Sequence, residues 1–503
     1  MILQQAHTGT QSPAMPAVAL YRQTLGGRRR RILKATDMPR PSRLAVIASL
    51  AATLYCAAAT QTAAAQTAAA QDADTDTAVI NTSAMTAIKA DSASLLPRRA
   101  VVLYGDIHSA DNQVVQIYFS REGLSFNEAE APRFLLLDRK GRIAFGIGGT
   151  LYATASTDFS GAIDSRNFTS ADIAVPNTDA AARRFGADIS NSSLYVRLVG
   201  RSARLGLYTV YFRSNFTGGG EDGYGFRLKQ AYIRLKGFTI GLDNSTFVDA
   251  GTQAPTIDPQ GPAGQVCAKN VLFRYTTPVY RGLRAALSIE VPRTSYSTGT
   301  HASSATTRIP DIPFYVQYSG RSGWRIRLSA IYRDLAYRDL VAQANRRHAG
   351  WGVHLGTVVP LGIFKPFGHI AYGHGISSYI NDLDGRKLDL VPDADNPGRL
   401  KAPEAYAWTI GTYFYFSPQA YITTGYSRAQ VNHTAATADT GTSSAPAAYR
   451  YGRYIYANAY YEVDDNFRLG IEYIHGTRAN FATDDGIHTG HANRLSAMLR
   501  YSF

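Results

Sequence analysis

Two cysteines in 503 residues, Cys56 and Cys267, leave this chain almost without thiol chemistry. Tryptophan is nearly as scarce, with 3 residues, and no apolar run approaches the roughly 20 residues that a membrane-crossing helix needs. A disulfide-stapled domain, a cysteine-ligated metal module and a helical membrane bundle are therefore excluded. What is abundant is Tyr, 32 residues against 21 Phe, together with 44 Gly. Tyr carries an apolar body and a polar tip, which suits both a membrane interface and a wet inner wall.

The first hundred residues differ from the rest. Residues before Met38 hold the basic run Arg28 to Arg31 and no apolar period, so residues 1–37 are expected to be a non-native extension and Met38 the true start. Arg40 and Arg43, the apolar stretch Leu44 to Tyr55 and the small residues 63–65 or 68–70 read as a signal peptide over 38–70. Export leaves Cys267 alone in the mature protein and allows no internal disulfide. Residues 1–71 carry eight basic residues against one acid, so half of the formal +14 lies there and +7 remains. A moderately basic exported chain attracts small anions or anionic lipid head groups, and no basic helix or motif calls for nucleic acid. Residues 71–135 are expected to form a flexible amino-terminal periplasmic segment. Residues 136–503 make the remaining unit.

That unit alternates. The last thirteen residues, HANRLSAMLRYSF, place Leu495, Ala497, Leu499, Tyr501 and Phe503 on one face, with Arg494, Ser496, Met498, Arg500 and Ser502 on the other. The same period of two recurs at Leu194/Val196/Leu198, Val271/Phe273/Tyr275, Leu283 to Val291, Trp324 to Tyr332, Ile455 to Val463 and Leu469/Ile471/Tyr473. Short turn signals near 200–202, 236–237, 277–278, 320–323, 360–361, 417–419 and 464–466 alternate with longer polar stretches at 160–190, 216–223, 246–268, 293–311, 335–347, 375–402, 432–449 and 477–490. Seven turns and eight loops separate sixteen strands. The expectation is an all-β fold, a transmembrane antiparallel β-barrel of the bacterial outer membrane. The period breaks near Gln230 and is muddled between Leu205 and Phe212. The terminal strand is expected to close the barrel against the strand near Arg142 to Leu151.

If the apolar set faces lipid, the opposite set holds Arg197, Arg227, Lys229, Arg274, Arg284, Arg325, Arg327, Arg333, Arg494 and Arg500. A basic side chain at mid-bilayer costs about 2–4 kcal/mol, so these must face water inside the barrel. They read either as a solvated wall ion-paired to acids such as Glu290 and Glu462, or as a basic ladder that favours anionic solutes at a constriction.

The segment 226–266, FRLKQAYIRLKGFTIGLDNSTFVDAGTQAPTIDPQGPAGQV, with NVLFRYTTP at 270–278, resembles the central signature of the DcaP-like trimeric porins. APRFLLLDRKGRIAFGIGGTLYATASTDFSGAI, residues 131–163, is similar to the start of the barrel in related porin-like proteins. The resemblance implies a sixteen-stranded homotrimeric porin for small, often anionic, solutes. It implies that 246–268 is the third extracellular loop, folded into the lumen, with Asp249, Thr256, Asp258 and Gln260 facing the arginines. By resemblance to other outer-membrane barrels, Tyr501 and Phe503 are expected to form the carboxy-terminal signal read by the barrel assembly machinery, with outer-membrane lipid as the surrounding partner. The chain departs from the pattern at 238–245, FTIGLDNS, where DcaP-like members tend to carry Gly-Gln-Thr-Trp, and in lacking their coiled-coil amino-terminal region.

Other constellations carry less. His475, His488 and His491 near the last loop match no metal-site spacing, and GGGEDGYG at 218–225 opens no helix and lacks the Gly-Lys-Ser/Thr ending of a phosphate loop. Ser288 and Ser329 lie on strands without a neighbouring His, so no enzyme activity, cofactor or metal is expected. Two rival readings stand beside the porin: a substrate-gated transporter of the fatty-acid type, and a structural or adhesive barrel with a closed lumen.

Overall fold

The computed structural model describes residues 101–102, 113–118, 134–138, 142–163, 165–177, 182–219, 223–393, 395–432, 449–481 and 488–503. The proposed extension and signal peptide lie outside the described residues, as does most of 71–135.

Sixteen strands make the barrel: β1 (Ile143–Ser160), β2 (Ser193–Ser202), β3 (Gly206–Gly218), β4 (Gly225–Leu235), β5 (Phe238–Asn244), β6 (Lys269–Thr276), β7 (Leu283–Glu290) and β8 (Ile312–Ser319). They continue as β9 (Arg325–Asp339), β10 (Ala344–Val358), β11 (Phe364–His374), β12 (Glu404–Tyr415), β13 (Ala420–Asn432), β14 (Tyr449–Glu462), β15 (Phe467–Asn480) and β16 (Thr489–Ser502). Each pairs antiparallel with its sequence neighbours, and β16 returns to β1 from Ser502 opposite Thr150 to Asn493 opposite Ser160. Closure removes the edges that a sheet in lipid could not satisfy. The closing partner is thus the strand the sequence indicated, engaged along its second half rather than over 142–151.

Alternation sets the two faces. On β9, Ile326 and Leu328 are 41% and 52% exposed while Ser329 is fully buried inside. Short turns close one end. At the β4–β5 turn Lys236 and Gly237 both adopt left-handed backbone, with φ of 49° and 86°, the pair a two-residue hairpin of this twist requires.

One expectation needs correction, and one irregularity finds its cause. Residues 335–347 are not a loop: β9 and β10 run on to a tight turn, with Arg338 opposite Asn345 and Arg346 Nε 2.7 Å from Asp339 Oδ2. Their polarity belongs to strands on the long-loop side, where no alternation with hydrocarbon is needed. The break near Gln230 is a bulge on β4: Arg213 pairs with Gln230 and Ser214 with Leu228, so Lys229 is the extra residue and the alternation of β4 changes phase there. The muddled stretch 205–212 instead runs into β3 and pairs regularly, with β2 from Gly206 opposite Ser202 and with β4 from Tyr208 to Phe212.

Three connections fold inward. Residues 161–177, 245–268 and 375–403 are largely buried and build an apolar core inside the barrel, with Phe168, Ile173, Phe247, Val266, Ile380 and Leu388 among its members. A short helix, α1 (Gln113–Tyr118), also lies against the inner face: Val114 and Tyr118 are buried, and Arg197 Nη1 donates to the Tyr118 carbonyl at 2.6 Å.

Candidate functional site

Loop 245–268 has no regular strand of its own, so its buried backbone groups need partners elsewhere. The inner wall supplies them. Glu472 on β15 accepts from the backbone N–H of both Ile257 and Asp258 at 2.7 Å. Tyr152 on β1 donates to the Ile257 carbonyl at 2.7 Å, and Asn458 and Tyr460 on β14 donate to the Pro255 carbonyl at 2.7 and 2.8 Å. Gly264 N–H donates to Ser427 Oγ at 2.8 Å. His354 Nδ1 lies 2.9 Å from the Phe247 carbonyl oxygen, and His369 Nε2 lies 3.1 Å from that of Gly264. The loop is tied to the wall on both sides of the lumen.

Beneath it, on the short-turn side, opens a cavity of about 640 Å³. Seven arginines and lysines line it against two aspartates, Asp243 and Asp249, an excess of five positive charges. Arg325 Nη2 sits 2.9 Å from Asp249 Oδ1. The Arg327 guanidinium lies 3.6 Å from the centre of the Tyr315 ring and donates to the Thr246 carbonyl at 2.6 Å. Asp243 takes Arg274 at 2.6 Å and Arg234 at 3.1 Å. Burial alone would raise the Asp249 carboxyl, but Arg325 and Arg327 outweigh it and hold the group below the usual carboxylate range. The loop thereby stays anionic at its contact with the basic wall.

The sequence-expected basic residues divide. Arg197, Arg274, Arg284, Arg325 and Arg327 line the cavity. Arg227 and Lys229 lie nearer the long loops, in mutual range with Arg213 and Lys269. Arg500 is buried opposite Tyr152 at the β16–β1 seam. Arg333 and Arg494 point inward but do not line open space. Arg333 is fully buried, 3.2 Å from Asp311 and 3.1 Å from Asp389, and also binds the carbonyl oxygens of Gly375 and Arg293. Arg494 grips both oxygens of Asp158 at 2.6 and 2.9 Å, and its guanidinium lies 5.4 Å from the Phe168 ring centre. Both are struts under folded loops, formed because a guanidinium covered by a loop needs a carboxylate beside it.

The loop residues divide as well. Asp249 lies against Arg325. Asp258 does not: it accepts from the Phe168 and Gly261 N–H groups and from the Tyr454 hydroxyl, on the far wall. Burial pushes its carboxyl up to about 6 against those donors. Thr256 donates to the Asp258 carbonyl, and Gln260 to Asn381 in loop 375–403. The expected acid partners differ too. Glu290 receives Thr246 N–H, Ser288 and Asn270 rather than an arginine, whereas Glu462 does pair, with Arg468 at 2.6 Å. Sequence reasoning passed over Glu472, although an acid at an inward position between Ile471 and Tyr473 was the available signal.

Residues 190–347 match the model of the family described as the Porin subfamily. The crystal structure of the outer membrane channel DcaP of Acinetobacter baumannii superposes with a TM-score of 0.60 at 19% identity, covering 72% of this chain and 98% of that one. The anion-selective porin from Comamonas acidovorans matches with a TM-score of 0.47 at 11% identity, over 72% of this chain and 100% of that one. No curated protein matches the sequence.

Proposed function

For this barrel of the bacterial outer membrane, porin-like in fold and akin to the DcaP channel, we propose passive diffusion of small, preferentially anionic solutes through a basic lumen narrowed by loop 246–268. The observation that carries the reading is the excess of five positive charges around the cavity beneath the loop. A low-dielectric wall of one sign focuses the field and raises the local concentration of the opposite ion. Asp249 lowers that excess at the Arg325 contact and sets a mixed-charge eyelet. No chemistry acts on the solute.

By the sequence resemblance to DcaP-like porins, the channel is a homotrimer, and by resemblance to other outer-membrane barrels Tyr501 and Phe503 address it to the barrel assembly machinery. The apolar core made by the three inward loops favours a second reading, a lumen closed at rest. Reconstitution in planar bilayers separates the two. Discrete steps with a reversal potential on the anion side support the porin. A silent membrane favours the closed barrel, and cation preference overturns the basic-wall argument while leaving the fold untouched.

A further inference from the structure

The outer wall of the barrel carries a feature the lumen does not explain. On β13, Ser427 is buried inside while Ile422 faces out, so Arg428 shares the outward face of Ile422. On β14, Tyr454 and Tyr456 are buried inside and Ile455 is exposed, so Tyr451 and Arg453 also face out. Arg428 and Arg453 stand directly opposite each other across the β13–β14 pairing. Like charges in that position repel.

Both guanidiniums lie on one ring, 4.2 and 4.9 Å from the centre of Tyr451. Arg428 donates to Gln430 Oε1 at 2.6 Å. The Nε of each arginine is buried without a hydrogen-bond partner, and no carboxylate among the described residues lies within 4 Å of either. Glu404, on the outward face of β12, is taken by Asn432 and Tyr372. The row continues without acids: Arg453 faces Thr477, Thr477 faces His491, and the His491 ring stacks on His475 at 5.8 Å.

The height of the row identifies its surroundings. Trp408, directly opposite Arg428, stacks on Tyr426, and Phe159 stacks on Tyr473, an aromatic girdle on the long-loop side. Tyr451 is ten residues along β14 from Tyr461 near the short turns. At about 3.3 Å per residue and a tilt near 40°, that spans roughly 25 Å, the height of the apolar band of such barrels. Arg453 stands two residues lower, but both guanidiniums reach up to the Tyr451 ring and so sit level with the outer-leaflet head groups.

We propose that Arg428 and Arg453 form, on the outer wall of the barrel, a binding site for the phosphate of an outer-leaflet lipid. A phosphate offers several acceptor oxygens to the two forks at once and removes their repulsion. The inference rests on the outer-membrane placement of the barrel and is independent of what passes through it.

The test uses the full mature chain in nanodiscs made with bisphosphorylated lipid A or with its dephosphorylated form, read by native mass spectrometry. Heat-modifiable gel migration confirms that each sample is folded. The expected result is a retained lipid A on the wild type, held roughly tenfold more weakly in Arg428→Gln/Arg453→Gln, with little retention of the dephosphorylated lipid. Equal retention by wild type and variant overturns the site, as does equal retention of the two lipids. Displacement by inorganic phosphate at lipid-equivalent concentration makes it a free-anion site and overturns the lipid assignment. A changed oligomeric state in the folded variant assigns the pair to a subunit contact and overturns it too. Bilayer conductance of the same variant is expected to be unchanged, which keeps this outcome distinct from that of the porin reading.

Discussion

The ring of Phe503 occupies the space that a Cβ on Gly149 would fill. The two residues also exchange backbone hydrogen bonds, Gly149 N–H to the Phe503 carbonyl at 3.1 Å and Phe503 N–H to the Gly149 carbonyl at 3.0 Å. The last residue of the chain is thus seated on the first strand, and the absent side chain at 149 is what lets it lie flat. Gly149→Leu should lower the melting temperature of the folded barrel, with an overpacking cost of about 1–3 kcal/mol. The same substitution in a Phe503→Ala background should cost less, because the ring it strikes is gone. Equal shifts in the two backgrounds, on heat-modifiable gels, would show that the ring and position 149 are not coupled.

Charge at the eyelet gives the second prediction. Arg325→Glu with Arg327→Glu turns two positive charges into two negative ones beside the cavity and should move the reversal potential toward cations. Asp249→Asn should move it the other way, since Arg325 loses the carboxylate that now neutralises it. Selectivity measured in a salt gradient checks both signs.

Acid should tighten the loop. The Asp258 carboxyl, raised by burial to about 6, lies above its unfolded value, so the folded loop prefers the protonated form. Its contribution is complete below the ordinary carboxylate range and is lost as pH rises through about 6. Burial likewise pushes Asp382, under the Tyr449 hydroxyl, up to about 7. The melting temperature should fall between pH 5 and pH 8, and Asp258→Asn should flatten part of that fall. A variant with the same slope as wild type would clear Asp258 of the effect.

The strut at Arg333 should be costly to remove. Arg333→Met leaves Asp311 and Asp389 buried without their cation, which typically costs about 3–5 kcal/mol. Replacing all three with apolar residues should recover much of that loss. Melting of the single and triple variants distinguishes an uncompensated charge from a simple packing defect.

The sequence by itself determined the barrel. Period two along each strand fixes which side chains meet lipid, a charge in hydrocarbon is too expensive to permit the reverse, and seven short turns alternating with eight polar connections, one of which the structure shows to be a tight turn, leave sixteen strands. It also determined that Arg274, Arg284, Arg325 and Arg327 face the interior. It did not fix which inward arginines stay open to water. Arg325 and Arg333 occupy the same face of β9, yet one lines a cavity and the other is sealed. Only the path of the folded-in loops decides between them, because those loops pair through scattered side chains and carbonyls that follow no period. The opposed arginines on β13 and β14 were hidden for the same reason: two residues 25 apart in sequence meet only through strand register. Alternation is a local property of the chain and is written in it; the meeting of distant residues is decided by register and by loop packing, which the tertiary structure alone sets.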